Sequence, residues 1–291
     1  MKTTKKTIVT EKPTNEDRQA LRLLVRARED FQFQRKAMDN RIGRKADGTS
    51  QDINERPMRG EDLGFISIVA DECRKQEDAI EKELKKVLKR FPVYNEFLVN
   101  VKGVGTIAAA KIIGEFDIFK ASTVSKLWQF AGLNPSDVRG KKAIEKSKYT
   151  ADMGDIVGEY EERPGSPAKW IVQTNDMVRG DRLTPGYVAP FNGNLRTALV
   201  GVLADGFIKA QAPYCMDFYY PYKARLEQEE SIVSRGEKAW SEESKGHRDR
   251  AAKRYMIKMF IKDLYVAWRT IEGLEVRKPY QEEYLGHKHE A

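Results

Sequence analysis

Residues 97–113 read FLVNVKGVGTIAAAKII, and this stretch decides how we interpret the fold. A short apolar segment leads into Gly103-Val104-Gly105, and an alanine-rich segment follows. The second segment carries apolar side chains at helical spacing, namely Ile107, Ala110 and Ile113. Glycine adopts positive φ angles that other residues avoid, so the pair of glycines favours a tight turn. The stretch therefore predicts two short helices joined by a hairpin, the helix-hairpin-helix arrangement.

The predicted hairpin exposes main-chain N–H groups where its second helix begins. These groups have no partner within the helix, and the positive end of the helix dipole attracts anions. We therefore expect the corner to bind the phosphate backbone of DNA without reading bases and with strong salt dependence. The predicted contacts are Lys102, Gly103, Val104, Gly105, Thr106, Ile107 and Lys111. Alternatively, the two glycines only make a tight corner between helices.

Two segments with heptad-like spacing precede the hairpin. Thr14 is followed by acidic residues, as is typical of a helix N-cap, and a helical pattern runs over residues 16–42. It places Leu24, Phe31 and Met38 seven residues apart. A second pattern alternates steps of four and three, with one polar member: Ile66, Ala70, Cys73, Glu77, Ile80, Leu84, Val87 and Phe91. Residues 1–92 thus predict an antiparallel helical hairpin, or coiled coil, which either closes on itself or makes a homodimer.

Residues 93–291 are expected to form a second domain that contains the helix-hairpin-helix. Prolines and glycines interrupt residues 136–192, which we expect to be an irregular insertion with short strands near Trp170-Ile171-Val172. Helical patterns resume at residues 194–210, 213–230 and 247–272. The predicted fold class is therefore mainly α, with a long helical hairpin followed by a helical domain.

The composition narrows the classes of function. The 291 residues carry a net charge of +8, which favours a polyanionic partner. The two cysteines and three histidines show no metal-ligand spacing, so we expect neither a disulfide framework nor a metal or other cofactor. The mean hydropathy is −0.64, and no apolar run follows Met1. We therefore expect that the protein is neither inserted into a membrane nor secreted. We expect a DNA-associated protein in the cytoplasm of a prokaryote or a viral host cell.

The last predicted helix carries a basic stripe. Its cations recur every fourth residue, at Arg250, Arg254, Lys258 and Lys262, while the apolar residues fall mainly on another side. The stripe is either a solvated helix face or a track along a phosphate backbone. An aromatic run precedes it, with Tyr214, Phe218, Tyr219, Tyr220 and Tyr222. These rings could stack on bases, but their helical spacing favours packing in a core.

Three motifs in a fixed order resemble the insertion-sequence transposases of the IS-one-ten type, whose C-terminal domain is also named after IS-one-sixteen and IS-nine-oh-two. Residues 101–105 with 108–114 are similar to the G-[IV]-G hairpin that opens this domain. Phe119 and residues 127–135, LWQFAGLNP, are similar to its next segment, and residues 193–199, GNLRTAL, resemble its following helix start and include Arg196. The resemblance implies DNA transposition or site-specific recombination, with a guide RNA as a further partner.

In that family an N-terminal RNase-H-like domain supplies metal-binding carboxylates, and a serine attacks the DNA. Nothing before residue 97 resembles an Asp-bearing strand followed by further strands, so we expect that domain to be absent from this chain. At the serine position the best matches, VRGK at 138–141 and VRGDR at 178–182, have arginine. A guanidinium cannot replace the nucleophile but can hold a phosphate, which adds Arg139, Arg179 and Arg182 to the predicted DNA contacts.

Three hypotheses follow from the sequence. The first is a DNA-binding protein of the transposase type without complete catalytic machinery. The second is an active recombinase whose nucleophile is Ser136, Ser147 or Ser166. The third is a helical adaptor or assembly protein whose basic charge serves RNA or another protein. The sequence leaves open whether the chain is an enzyme.

Overall fold

A computed structural model of the protein describes residues 13–43, 63–161, 165–233 and 238–277. The chain divides into two compact units, one drawn from Met1–Asn100 and Val104–Phe116 and the other from Val101–Gly103 and Asp117–Ala291. The described residues are mainly helical and include one small three-stranded sheet. The mainly α fold class is therefore confirmed.

Two long helices dominate the first unit, α1 (Asn15–Arg41) and α2 (Leu63–Leu88). The predicted N-cap is present, because the Asp17 N–H donates to the Thr14 hydroxyl at 3.2 Å and the Thr14 N–H donates to the Asp17 carboxylate at 2.9 Å. Ion pairs join Asp17 to Arg90 at one end and Asp39 to Arg74 at the other. The two helices therefore lie antiparallel, and their connection falls outside the described residues.

Burial along α2 follows the predicted spacing, with Ala70, Cys73, Glu77, Leu84 and Val87 all buried. Along α1 the register differs from the prediction. The predicted positions are only half-buried, and the buried residues are Leu21, Val25 and Asp39. The reason is that charged side chains of α1 face Glu77, so a search for apolar repeats cannot find this side of the seam.

The first unit is completed by α3 (Pro92–Glu96), a 3-10 turn (Leu98–Asn100) and α4 (Thr106–Glu115). The alanine-rich helix α4 packs on α1 and α2 and buries Ala109, Ala110, Ile112 and Ile113. Small side chains allow a close approach, and the Arg22 Nε donates to the Gly114 carbonyl at 2.6 Å. Helix α4, which we predicted to lie in the second domain, thus packs with the helices of the arm.

The second unit begins with α5 (Val124–Phe130) and an antiparallel sheet of β1 (Asp137–Glu145), β2 (Asp155–Tyr160) and β3 (Lys169–Arg179). The strand order is β1-β3-β2, so β3 lies in the centre. The prediction of an irregular insertion over residues 136–192 is wrong for β1 and β2, whereas the strand predicted near residues 170–172 is confirmed as part of β3. Strand β2 is mostly exposed, and the register shifts on both sides of β3, so the sequence shows no clear alternation.

Helices form the rest of the second unit. A continuous run comprises α6 (Gly193–Arg196), a π-helical segment (Thr197–Leu203) and α7 (Ala204–Lys209). A second π-helical segment (Cys215–Tyr219) leads into α8 (Tyr220–Gln228), and α9 (Lys245–Ile271) follows. Helix α9 supplies the core with Met256, Ile257, Phe260, Ile261, Leu264 and Trp268. The helix predicted at 247–272 is therefore confirmed.

Candidate nucleic-acid interface

The two glycines of the predicted hairpin have different surroundings. Gly103 has a φ of +98°, and a Cβ atom built on it would lie 2.7 Å from the Phe207 Cδ1 atom and 3.3 Å from the Phe207 Cα atom. Both the backbone angle and this close approach require glycine. The surface that we expected Gly103 to offer to phosphate is thus packed, within the second unit, against Phe207.

Gly105 is exposed and is the N-cap of α4, with a φ of −86° and no side-chain hydrogen bond to the cap. A Cβ atom at this position would meet nothing within 4 Å. Thr106 and Ile107 are half-buried in the first turn, and Lys102 is exposed. The Lys111 ammonium forms an ion pair with Glu29. The helix start at Gly105 therefore keeps the geometry of an anion site, but Lys111 already has a carboxylate partner.

The second unit contains an open cavity of about 800 Å³. Its walls come from the segment after β3, from α8, from the segment before α9 and from α9 itself. The cavity brings together predicted phosphate contacts from two distant parts of the sequence, namely Arg179, Arg182, Arg254 and Lys258. Two of the four cations of the basic stripe thus line the same cavity as both arginines of the VRGDR segment.

Carboxylates already compensate part of the charge in the cavity. Arg179 makes a bidentate pair with Asp181, with distances of 2.6 and 3.3 Å. Glu243 lies 3.0 Å from the His247 Nδ1 atom. Both carboxylates of the lining therefore have partners close to them in sequence.

Arg254 and Lys258 are half-buried without such partners. Among the described residues, no ion pair or hydrogen bond is found for either charged group. Burial lowers the pKa of Lys258, whose ammonium lies 4.6 Å from the centre of the Trp128 ring. Burial also lowers the pKa of Arg254, nearby Arg196 lowers it further, and the charge of Asp181 opposes this shift only in part. The cavity therefore holds two partly desolvated cations, neither of which forms an ion pair or a hydrogen bond with a carboxylate of the described residues.

Aromatic rings share the cavity with these cations. Tyr222 and Tyr255 stack on each other with ring centres 4.3 Å apart and an interplanar angle of 15°. Trp240 meets the His247 ring edge to face at 5.4 Å. All four side chains are half-buried and line the cavity. Cations and flat apolar surfaces are thus available to a single ligand.

The remaining predicted contacts lie outside the lining of this cavity. Arg250 is exposed on α9, and Lys262 is half-buried two turns further along from Arg254. Arg196 donates to the Asp181 carbonyl and lies 4.9 Å from the Phe191 ring centre. Arg139 lines a second cavity of about 460 Å³ together with Lys141, and the two cavities share Met177 and Val178.

The three candidate serines are in turns or near them. The Ser136 hydroxyl donates to the Asn134 side chain at 2.9 Å, and an amide oxygen is not a general base. Ser147 is exposed in a 3-10 turn, Lys146–Lys148, and Ser166 is half-buried before β3. None of the three lines the cavity of the second unit. A catalytic role for any of them stays a prediction.

The aromatic run packs in the core only in part, since Tyr219 is buried, Tyr220 is exposed and the other three members are half-buried. Tyr214 stacks on Phe207 at 5.4 Å and meets Phe260 edge to face. Burial raises the pKa of Tyr214 and of Tyr219, whose hydroxyls donate to Asp263 and Asp249. Tyr222 is the member of the run that lines the cavity.

Sequence reasoning missed Trp240, Tyr255 and His247. Trp240 precedes α9 in a segment without periodicity, so its position relative to the basic stripe could not be predicted. Tyr255 follows Arg254 directly, and its spacing from Tyr222 becomes visible only once α8 packs on α9. The signal that could have identified this site in the sequence was a lone tryptophan shortly before the basic stripe.

The described residues contain no group of three or more His, Cys, Asp or Glu side chains that could hold a metal ion. None of the described helices is both long and apolar enough to cross a bilayer. Comparison of the chain with models of known families, with curated proteins and with solved structures finds no match.

Proposed function

We propose that the protein binds the phosphate backbone of DNA, with the cavity of the second unit as the main contact. The observation that carries the proposal is that Arg254 and Lys258 are half-buried there and form no ion pair or hydrogen bond with a carboxylate of the described residues. Withdrawing a cation from water costs free energy unless an anion compensates it. A phosphate group supplies that anion through short, charge-assisted hydrogen bonds. Binding of an anionic ligand would therefore offset the free-energy cost of holding these two cations in the cavity.

An extended polyanion fits the surroundings better than a small anion does. Arg182 at the cavity and Arg250 on α9 are exposed. The second cavity, which contains Arg139 and Lys141, adjoins the first through Met177 and Val178. The whole chain carries a net charge of +8. Cations spread over adjoining surfaces can follow successive phosphates of one strand, which is how sequence-tolerant DNA binding works.

The role in transposition or site-specific recombination rests on the three ordered motifs in residues 101–199. With that role we propose a homodimer formed through the α1–α2 hairpin as a coiled coil, and a guide RNA as a further partner. The test is a strand-transfer assay with the purified chain. Cleavage that a single serine change abolishes would replace the binding-only hypothesis with that of an active recombinase. If the chain binds RNA or another protein but does not bind DNA, the adaptor hypothesis is favoured.

We also propose that residues 97–113 act as a helix-hairpin-helix, with the exposed helix start at Gly105 as a secondary phosphate contact. Gly105→Asp tests this without damage to the fold, because aspartate caps helices well and nothing crowds its Cβ position. We expect DNA binding to weaken about 5-fold from charge repulsion at the helix start. Gly105→Asn caps equally well without the charge and should bind as the unchanged chain does. Equal binding by both variants would remove this contact from the proposal.

The main contact is tested with the double variant Arg254→Met/Lys258→Met, which keeps most of the aliphatic packing. Each charge-assisted hydrogen bond contributes about 1.5–3 kcal/mol, so we expect the affinity for DNA to fall roughly 100-fold or more. The control is Lys120→Met/Lys148→Met, which removes two exposed lysines of the same unit, with 87% and 70% of their side chains exposed. Duplex, junction and single-stranded DNA and a structured RNA are compared at one salt concentration. Equal affinities of the two double variants would contradict the proposal.

A further inference from the structure

The shape of the cavity bears on the form of DNA that it accepts. A duplex presents its phosphates on a stiff rod with its bases stacked inside, so it binds best to cations that stand on an exposed surface. Arg254 and Lys258 instead are half-buried in a concave site of about 800 Å³. A volume of this size is typical of pockets that enclose a small ligand. A phosphate reaches these cations more easily when its nucleotide has left the stack.

The aromatic lining of the cavity provides rings on which an unpaired base can stack. Trp240 and Tyr222 line the same cavity as the two cations, and both rings are half-buried. Proteins that bind single strands combine a basic groove with rings on which bases stack, and this stacking tolerates any base. Enzymes and binding proteins that extrude a base from the duplex use the same combination.

We propose that the cavity binds an unpaired nucleotide, with its phosphate held by Arg182, Arg254 and Lys258 and its base against Trp240. The inference rests on the proposed function, since it specifies the form of DNA that this same site takes. Single strands, strand ends and extruded bases are therefore preferred over an intact duplex. The Tyr222–Tyr255 stack, with ring centres 4.3 Å apart, adds a second aromatic surface to the lining.

The experiment compares three ligands of equal length with the full chain: an oligo-dT strand of about 12 nucleotides, an abasic strand and a duplex. The abasic strand keeps every phosphate but has no base to stack. We expect oligo-dT to bind about 10-fold more tightly than the abasic strand, since stacking of one base contributes roughly that much. The duplex should bind more weakly than oligo-dT at the same salt concentration.

Variants of Trp240 assign the preference to this ring. Trp240→Leu should reduce the preference for oligo-dT over the abasic strand to less than about 3-fold and leave the affinity for the abasic strand unchanged. Trp240→Phe keeps an aromatic face and should restore most of the preference. Trp170→Leu is the matched control, because Trp170 lies on β3 near Lys146 and does not line the cavity. It should behave as the unchanged chain.

Failure of this inference differs from failure of the proposed function. Equal affinity for oligo-dT and the abasic strand, with both weakened by Arg254→Met/Lys258→Met, would overturn the unpaired nucleotide and retain phosphate binding. A preference for oligo-dT that survives Trp240→Leu would also overturn it. If Arg254→Met/Lys258→Met leaves the affinity for all three ligands unchanged, both proposals are wrong.

Discussion

The helical hairpin of the first unit and the cavity of the second both withdraw cations from solvent, but they treat them differently. In the hairpin, Arg35 donates to Glu77 at 2.5 Å and to Asp39 at 2.9 Å, and Arg28 lies 3.3 Å from Glu77. The carboxylates raise the pKa of Arg35 despite its burial. In the cavity, burial lowers the pKa of Lys258 and no carboxylate opposes it. The ion pairs of Arg35 indicate a structural role, whereas the lack of an ion pair at Lys258 supports the proposed anion site.

The difference predicts opposite effects when a charge is removed. In the hairpin the partner charges would be left uncompensated, so the fold should lose stability. In the cavity the fold should gain stability and lose affinity for its ligand, as is common at functional sites.

The variant Glu77→Leu should have the greatest effect, because it removes the carboxylate that pairs with Arg28 and Arg35 between α1 and α2 and leaves Arg35 only Asp39. Breaking a buried ion pair by removing one partner costs about 3–5 kcal/mol in the free energy of unfolding. Urea denaturation followed by circular dichroism measures it. Glu72→Leu on the exposed face of α2 is the control and should unfold as the unchanged chain does. A loss below about 1 kcal/mol for Glu77→Leu would show that the pairing is not structural.

Gly103→Ala is expected to cost about 2 kcal/mol of unfolding free energy, because a Cβ atom meets Phe207 and the φ of +98° disfavours alanine. Gly105→Ala at the other end of the hairpin has neither problem and should cost less than about 1 kcal/mol. Thermal denaturation of the two variants distinguishes them. Equal losses would mean that the packing of Gly103 against Phe207 does not determine the need for glycine.

Lys258→Met removes one of the two half-buried cations of the cavity. Removing a half-buried cation without a carboxylate should raise the free energy of unfolding by about 1 kcal/mol. The same variant should bind DNA about 10-fold less tightly, since one charge-assisted contact is lost. Chemical denaturation and a binding titration are needed on the same preparation. A variant that is less stable than the unchanged chain would assign Lys258 to the structure of the cavity instead.

The smallest expected effect concerns pH. Burial lowers the pKa of Lys258 from its ordinary value of 10.5, so the free protein begins to lose this proton at a lower pH than an exposed lysine does. Only the protonated ammonium attracts phosphate, so DNA affinity should begin to fall as pH rises toward that lowered pKa. Binding should be accompanied by proton uptake there. Lys258→Arg stays charged throughout and should show a flatter profile over the same pH range.

The sequence predicted those features that depend on local periodicity. The spacing from Ala70 to Val87 defined the buried face of α2, and the basic stripe of α9 was confirmed as part of a long helix. The sheet could not be predicted in the same way, because β1 pairs with β3 across a long connection and β2 is mostly exposed. The α1 face was missed because Arg28 and Arg35 are charged.

The sequence predicted the cations of the candidate site but not their arrangement around one cavity. Arg179 and Arg182 were singled out for one reason and Arg254 and Lys258 for another, and nothing in the sequence showed that they line one cavity. The sequence also could not show that Phe207 occupies the space next to Gly103. Contacts between residues far apart in the chain have no period that a single sequence displays.

The salt dependence of DNA binding counts the phosphates that the protein neutralises, so it measures whether the cavity contacts the DNA backbone. We expect the logarithm of the affinity of the unchanged chain to fall linearly with the logarithm of salt concentration. The slope for Arg254→Met/Lys258→Met should be shallower by about 1.5–2, which corresponds to two lost phosphate contacts. Lys120→Met/Lys148→Met should keep the full slope. Identical slopes for all three proteins would show that the cavity does not hold the DNA backbone.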